Sequence, residues 1–192
     1  MQKIVEAIKI LKSGGIILIP TETVYGIAVD ARNKSAIDKI YNLKKRDNSK
    51  PLQIMVKNLE EAKKLADFNI PSLKLAEENW PGALTLILNQ KDGSSIASNF
   101  NQINQTIGIR IPNHPVALQL LENIDFPIAV TSANISGQQS NITYQSAKEI
   151  FEDSLGYFLD GGKSEIGISS TVIDYTDEKS PKILRKGSVK IA

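Results

Sequence analysis

Ile16-Ile-Leu-Ile-Pro-Thr-Glu-Thr-Val-Tyr-Gly26 is the stretch from which the rest of the chain is read. Its opening run is apolar, Ile-rich and too short to span a membrane, which predicts a buried strand. Pro20 has no N–H to give a sheet ladder, so the strand is expected to stop there or to lie at an edge. Thr21, Glu22 and Thr23 follow at that stop, with no apolar residue between them. Ligands in open α/β sheets collect beyond the carboxyl ends of strands, so the corner is a candidate site as well as an ordinary strand-to-loop corner. Tyr25 and Gly26 are expected to turn the chain back, Gly26 letting backbone approach a ligand closely.

Outward from this corner, helix and strand patterns alternate. Ile4, Val5, Ile8 and Leu11 have helical spacing, and Gly14-Gly15 can end that helix. Ser35 with Asp38 resembles a capping box opening a second helix with Ile37, Ile40 and Tyr41 on one face. It runs into Leu43-Lys-Lys-Arg-Asp-Asn-Ser-Lys-Pro51, where Pro51 disfavours helix at Lys50 and leaves the basic run on a helix end and loop. Residues 52–56, 84–88, 106–111, 128–130, 157–159, 169–174 and 182–185 read as strands. Helices are expected from Asn58 to Leu65, after Pro71, over 116–121, and over 147–151 after Thr143. Residues 89–105 are polar apart from Ile96, Phe100 and Ile103, and so long a loop suggests a lid. The pattern, without repeats or linkers, predicts a single α/β domain over 1–192, a twisted mixed β-sheet flanked by helices.

Composition narrows the chemistry. There is no cysteine in the 192 residues, which excludes disulfides, thiolate metal sites and a cysteine nucleophile. His114 is the lone histidine, so a histidine metal cluster is excluded and a structural or substrate-contact role is expected for it. No stretch has signal-peptide or membrane-span length, which predicts a cytoplasmic protein without a membrane partner. A net charge of +2, with basic residues dense only around 44–50, suits a small anionic ligand better than a long polyanion. Gly161-Gly-Lys-Ser164 imitates a P-loop tail, but the earlier glycine would fall on Tyr157, so that reading is rejected.

Polar residues remain scattered at strand ends: Thr21, Thr23, Lys44, Arg46, Arg110, Ser132, Asn134, Ser170 and Arg185. Together they describe an open cationic, hydroxyl-lined cleft without a general base or a metal site of its own. Phosphoryl and nucleotidyl transfer depend mainly on positioning and charge neutralisation.

Pro20-Thr-Glu-Thr-Val-Tyr-Gly26 resembles the opening signature of the YrdC/TsaC family, the threonylcarbamoyl-AMP synthases. Lys44-Lys-Arg46, Trp80-Pro-Gly-Ala-Leu-Thr-Leu86, Gly108-Ile-Arg-Ile-Pro-Asn-His-Pro115, Ser132-Ala-Asn-Ile-Ser-Gly137, Ser170-Thr-Val-Ile-Asp174 and Ile183-Leu-Arg185 resemble further family blocks in the same order. Ile27-Ala28 and Ala83 depart from the usual residues without removing an expected ligand. The resemblance implies a YrdC-like/RibB-like α/β fold, in the single-domain form without an extra C-terminal domain. It implies ATP contacts from Lys44, Arg46, Ser132, Asn134 and Arg185, with Lys44 and Arg46 as the catalytic pair. L-Threonine would be held by Thr23, Arg110 and Ser170, the planar fork of Arg110 suiting a carboxylate. Lys45 adds a second cation inside the Lys-x-Arg, which leaves open whether Lys44 or Lys45 points into the cleft.

By the same resemblance, L-threonine and bicarbonate or CO2 form a carbamate that attacks the α-phosphorus of ATP and releases pyrophosphate. Mg2+ is expected to enter on the ATP phosphates. The adenylate would pass to a tRNA threonylcarbamoyltransferase complex that modifies adenosine beside the anticodon. Lys44 and Arg46 are expected on exposed loop. An alternative is a module that binds double-stranded RNA or tRNA without chemistry, recognisable by steep salt dependence. A third reading, the carbamoyl-transfer domain of hydrogenase maturation, ranks last because those proteins carry cysteine-rich zinc motifs.

Overall fold

The Ile-rich run becomes β1 (Ile17–Ile19), which ends at Pro20 as the sequence predicts. It is no edge: it pairs antiparallel with β2 (Gly26–Asp30) and parallel with β8 (Tyr157–Phe158). In the computed structural model, residues 2–47, 50–100 and 105–190 are described. The other strands are β3 (Gln53–Met55), β4 (Ala66–Asp67), β5 (Leu84–Gln90), β6 (Thr106–Arg110), β7 (Ile128–Ser132), β9 (Thr171–Asp174) and β10 (Lys182–Arg185). The helices are α1 (Gln2–Lys12), α2 (Lys34–Lys44), α3 (Leu59–Leu65), α4 (Ile70–Asn79), α5 (Pro115–Glu122) and α6 (Tyr144–Phe151). No helix among the described residues is long and apolar enough to cross a membrane.

One mixed sheet runs in the order β10-β9-β5-β6-β3-β7-β2-β1-β8, with β4 paired to β5. Alternate residues sort it into two faces. Leu18, Ile27, Ile54, Leu86, Ile109 and Ala129 share one face and pack on Ile37 and Ile40 of α2, Leu65 of α3 and Ala76 of α4. Ile17, Ile19, Ala28, Met55 and Val130 point the other way, onto Ile4 and Leu11 of α1 and Leu120 of α5. That second cluster includes no residue of β5, β6 or β9. The two helices therefore cover only the β1–β2–β7–β3 half of their face, and among the described residues no helix covers the remainder.

Three expectations are corrected. Gly26 opens β2 instead of turning the chain; a Cβ there would lie 2.8 Å from Val130 Cγ1, so glycine is required by strand packing. The N-cap of α2 is Asn33, whose Oδ1 accepts from Ala36 N at 3.1 Å, and Ser35 lies inside the helix. Residues 91–100 lie against the α2 side of the sheet instead of over the open face. Ala97 N donates to Ala31 O, and Ile96 and Phe100 enter the core. Ile103, also part of that expected lid, lies outside the described residues.

Candidate active site

A cavity of about 200 Å3 occupies the uncovered half of the second face. Its floor is the pleated sheet itself: Thr85 and Ile87 of β5, Gly108 of β6, Gln53 of β3, Val130 of β7 and Val172 of β9. Register places Gln53 beside Gly108, and Gly108 beside Ile87. Strand ends supply the polar rim, as expected, but the cavity lies over the face of the sheet as well as beyond its edge. Thr23, Arg46, Arg110, Ser132, Ser170 and Arg185 all line it.

Lys44 and Asn134 stand directly behind that lining. Lys44, on the last turn of α2, is 2% exposed, which corrects the expectation of an exposed loop position. Its Nζ donates to Thr131 Oγ1 at 3.3 Å and Asn134 Oδ1 at 3.4 Å, and lies against the Ser132 carbonyl oxygen. Lys45 is the exposed, left-handed C-cap of α2 (φ 49°), so Lys44 is the lysine turned inward. Asn134 is fully engaged: Oδ1 accepts from Ser132 Oγ at 2.5 Å as well as from Lys44, while Nδ2 donates to Ile135 O and Gln138 O. Its side chain thus ties the 132–138 loop to α2. Arg46 is half-buried, with Nε donating to Lys50 O at 2.9 Å and Nη2 to Pro51 O at 3.2 Å.

Thr21 builds the opening corner. Its Oγ1 donates to Val24 O at 2.6 Å and accepts from Val24 N at 3.2 Å, closing a turn that aims Thr23 inward. Arg110 Nη1 donates to Thr23 Oγ1 at 2.9 Å and Nε to Gly82 O at 3.0 Å. Glu22, buried like Arg110, lies 2.7 Å from its Nη2. Arg185 donates from Nε to Ser170 O at 2.8 Å and from Nη2 to Ser170 Oγ at 3.0 Å. Ser170 Oγ in turn meets Thr85 Oγ1 at 2.8 Å, and Thr85 donates to Gln53 Oε1 at 3.0 Å.

Electrostatics give the cavity its sign. Burial, and secondarily Arg46, push the Lys44 ammonium down to about 8. The Arg185 guanidinium is lowered by burial and then by its like-charged neighbours Arg110 and Arg46. Burial also lowers Arg46 and Arg110, with Glu22 opposing the shift at Arg110. Among the described residues, no carboxylate lines the cavity. Cations that depress one another are stabilised by a bound anion. His114, by contrast, is structural: its Nδ1 accepts from Val116 N at 3.2 Å and caps α5.

Gln53 and Thr85 were not singled out from the sequence. Their signal is a polar residue inside an otherwise apolar strand, in Leu52-Gln53-Ile54 and Leu84-Thr85-Leu86. Thr106-x-Gly108-x-Arg110 repeats it, small or polar residues alternating with Ile107 and Ile109, which face the core.

The Sua5–YciO–YrdC family model, described as telomere recombination, matches residues 9–187. A Bacillus subtilis protein named threonylcarbamoyl-AMP synthase is 34% identical over 97% of this chain and 54% of its own length. The Pyrococcus abyssi protein of the same name is 36% identical over 94% of this chain and 53% of its own. The chain thus spans about half the length of these curated relatives. Among solved structures, P. abyssi Sua5 complexed with L-threonine superposes with a TM-score of 0.91 at 35% identity, covering 97% of this chain and 54% of that one.

Proposed function

We propose that this chain, which belongs to the Sua5–YciO–YrdC family, is a nucleotidyltransferase that makes L-threonylcarbamoyl-AMP and pyrophosphate from L-threonine, bicarbonate or CO2, and ATP. The observation that carries this reading is the convergence of Arg46, Arg110 and Arg185 with Thr23, Ser132 and Ser170 on one cavity. It is supported by relatives named as the synthase and by the threonine complex of a neighbour 35% identical to this chain. The cations are gathered inside a cavity instead of along an exposed face, which favours a small anion over an RNA duplex.

In this reading Arg46 and Arg185 neutralise the phosphates of ATP, and Lys44 acts from behind Thr131 and Ser132 by fixing their loop and adding charge. Arg110, Thr23 and Ser170 hold L-threonine. A carbamate oxygen bonds to the α-phosphorus, the bond to the bridging β-phosphate oxygen breaks, and pyrophosphate leaves with the electron pair. The site lends charge and position, not a proton acceptor. No cluster of three or more histidine or acidic residues that could hold a metal occurs among the described residues. Mg2+ would therefore ride on phosphate oxygens and water, where it supplies further charge neutralisation. The adenylate would be consumed by a tRNA threonylcarbamoyltransferase complex in the cytoplasm.

Pyrophosphate release from ATP tests this reading. It should require both L-threonine and bicarbonate, and release that is indifferent to threonine would remove the assignment.

A further inference from the structure

The Ser170 hydroxyl has a defined hydrogen-bond direction, and it follows from counting protons. Thr85 has one hydroxyl proton, and it goes to Gln53 Oε1 at 3.0 Å. At its 2.8 Å contact with Ser170 Oγ, Thr85 therefore accepts, and the proton between them is that of Ser170. Arg185 Nη2, which can only donate, fills one acceptor position of Ser170 Oγ at 3.0 Å. The chain runs one way, Arg185 to Ser170 to Thr85 to Gln53, and Ser170 keeps one lone pair and no proton for a ligand. Thr85 and Ser170 are buried, and Ser170, Thr85, Gln53 and Arg185 all line the cavity.

We propose that Thr85 and Gln53 are positioning residues for the amino-acid substrate, fixing Ser170 as an acceptor that takes a hydrogen bond from a donor group of that substrate. This rests on the synthase reading and deepens it. The donor is the substrate's hydroxyl or its amino group; a carboxylate, which only accepts, is turned away from Ser170 toward Arg110. A site built to receive a donor rejects an analogue lacking it, because its own polar atom is then left unpaired. Arg185 binds both the carbonyl and the hydroxyl of Ser170, so the residue expected at the nucleotide also holds this acceptor in place.

The experiment is calorimetric titration of the unaltered protein and of Thr85→Val, Thr85→Ser and Gln53→Leu with L-threonine, L-2-aminobutyrate and ATP. Thr85→Val keeps the shape but frees the Ser170 proton, and should weaken L-threonine about tenfold or more while moving ATP less than about twofold. Thr85→Ser should restore threonine binding, and Gln53→Leu should lie between. Loss of threonine's advantage over 2-aminobutyrate in Thr85→Val identifies the hydroxyl as the donor; an equal fall for both identifies the amino group. Unchanged threonine affinity in Thr85→Val, an equal loss for ATP, or failure of Thr85→Ser to rescue overturns the proposal alone. If the unaltered protein does not bind L-threonine, the synthase reading falls and this proposal with it.

Discussion

Arg110 Nη2 and Glu22 Oε1 lie 2.7 Å apart, an ion pair between two buried side chains. Among the described residues, no partner outside this pair bonds either Glu22 oxygen or Nη2. On the Glu22 side, the pair therefore lacks the additional hydrogen bonds that usually offset the desolvation of two buried ions.

Glu22→Gln keeps the shape and removes the compensating charge. Breaking a buried pair from one side costs roughly 3–5 kcal/mol, and Glu22→Gln should fall in that range. Urea unfolding should register that loss. Added L-threonine should raise the melting temperature of Glu22→Gln more than that of the unaltered protein, because its carboxylate meets an uncompensated cation at Arg110. Equal stability of the two proteins would count against a stabilising pair.

Lys44 gives stability and activity opposite pH dependences. Its folded-state value of about 8 lies below the ordinary 10.5, so between those values the unfolded chain binds more protons. Stability from this residue therefore rises with pH across that window. Activity falls across it, because the ammonium that holds Thr131, Ser132 and Asn134 becomes a neutral amine. The alkaline limb of kcat/KM for ATP should have an apparent pKa near 8. Lys44→Arg should shift that limb upward by two units or more, to about pH 10 or above, at reduced activity. A limb that stays in place in Lys44→Arg would assign it to another group.

Gly108 is a glycine for the ligand's sake more than the fold's. A Cβ there would meet Thr85 Cγ2 at 3.5 Å and Ile87 Cγ1 at 3.8 Å, both ordinary contacts. Gly108→Ala should preserve the melting temperature or raise stability by about 0.4–1 kcal/mol through the unfolded chain. The added methyl intrudes on the cavity floor, so ligand affinity should fall, and further in Gly108→Val. A destabilised Gly108→Ala that still binds its ligands at full strength would reverse this account.

The cap of α2 separates two neighbouring residues. Asn33→Ala should cost about 0.5–2 kcal/mol of stability, whereas Ser35→Ala should change it by less than about 0.5 kcal/mol. Urea midpoints decide the matter, and the reverse ranking would restore Ser35 as the cap.

Where local chemistry settles the conformation, the sequence was legible. Pro20 ends β1, Asn58 and Thr143 cap their helices, and Gly14 takes φ +74° after α1. β2 was not legible, because Gly26-Ile-Ala-Val-Asp30 is buried at every position and shows no alternation to set it off from the corner before it. Nor can local pattern say that β3 lies between β6 and β7, since that order depends on pairings between distant segments. The polar rim was readable because Thr23, Arg110, Ser132 and Ser170 sit at or beside strand ends. The floor was not, because Gln53 and Thr85 look like ordinary half-exposed strand residues until the sheet is seen to lack a helix above them.

The most direct measurement is mass spectrometry of the nucleotide products formed from L-threonine, ATP and 13C-bicarbonate. The account predicts an adenylate carrying one threonine and one 13C, with pyrophosphate in equal amount. An adenylate without the label, or AMP formed with no threonine attached, would contradict it.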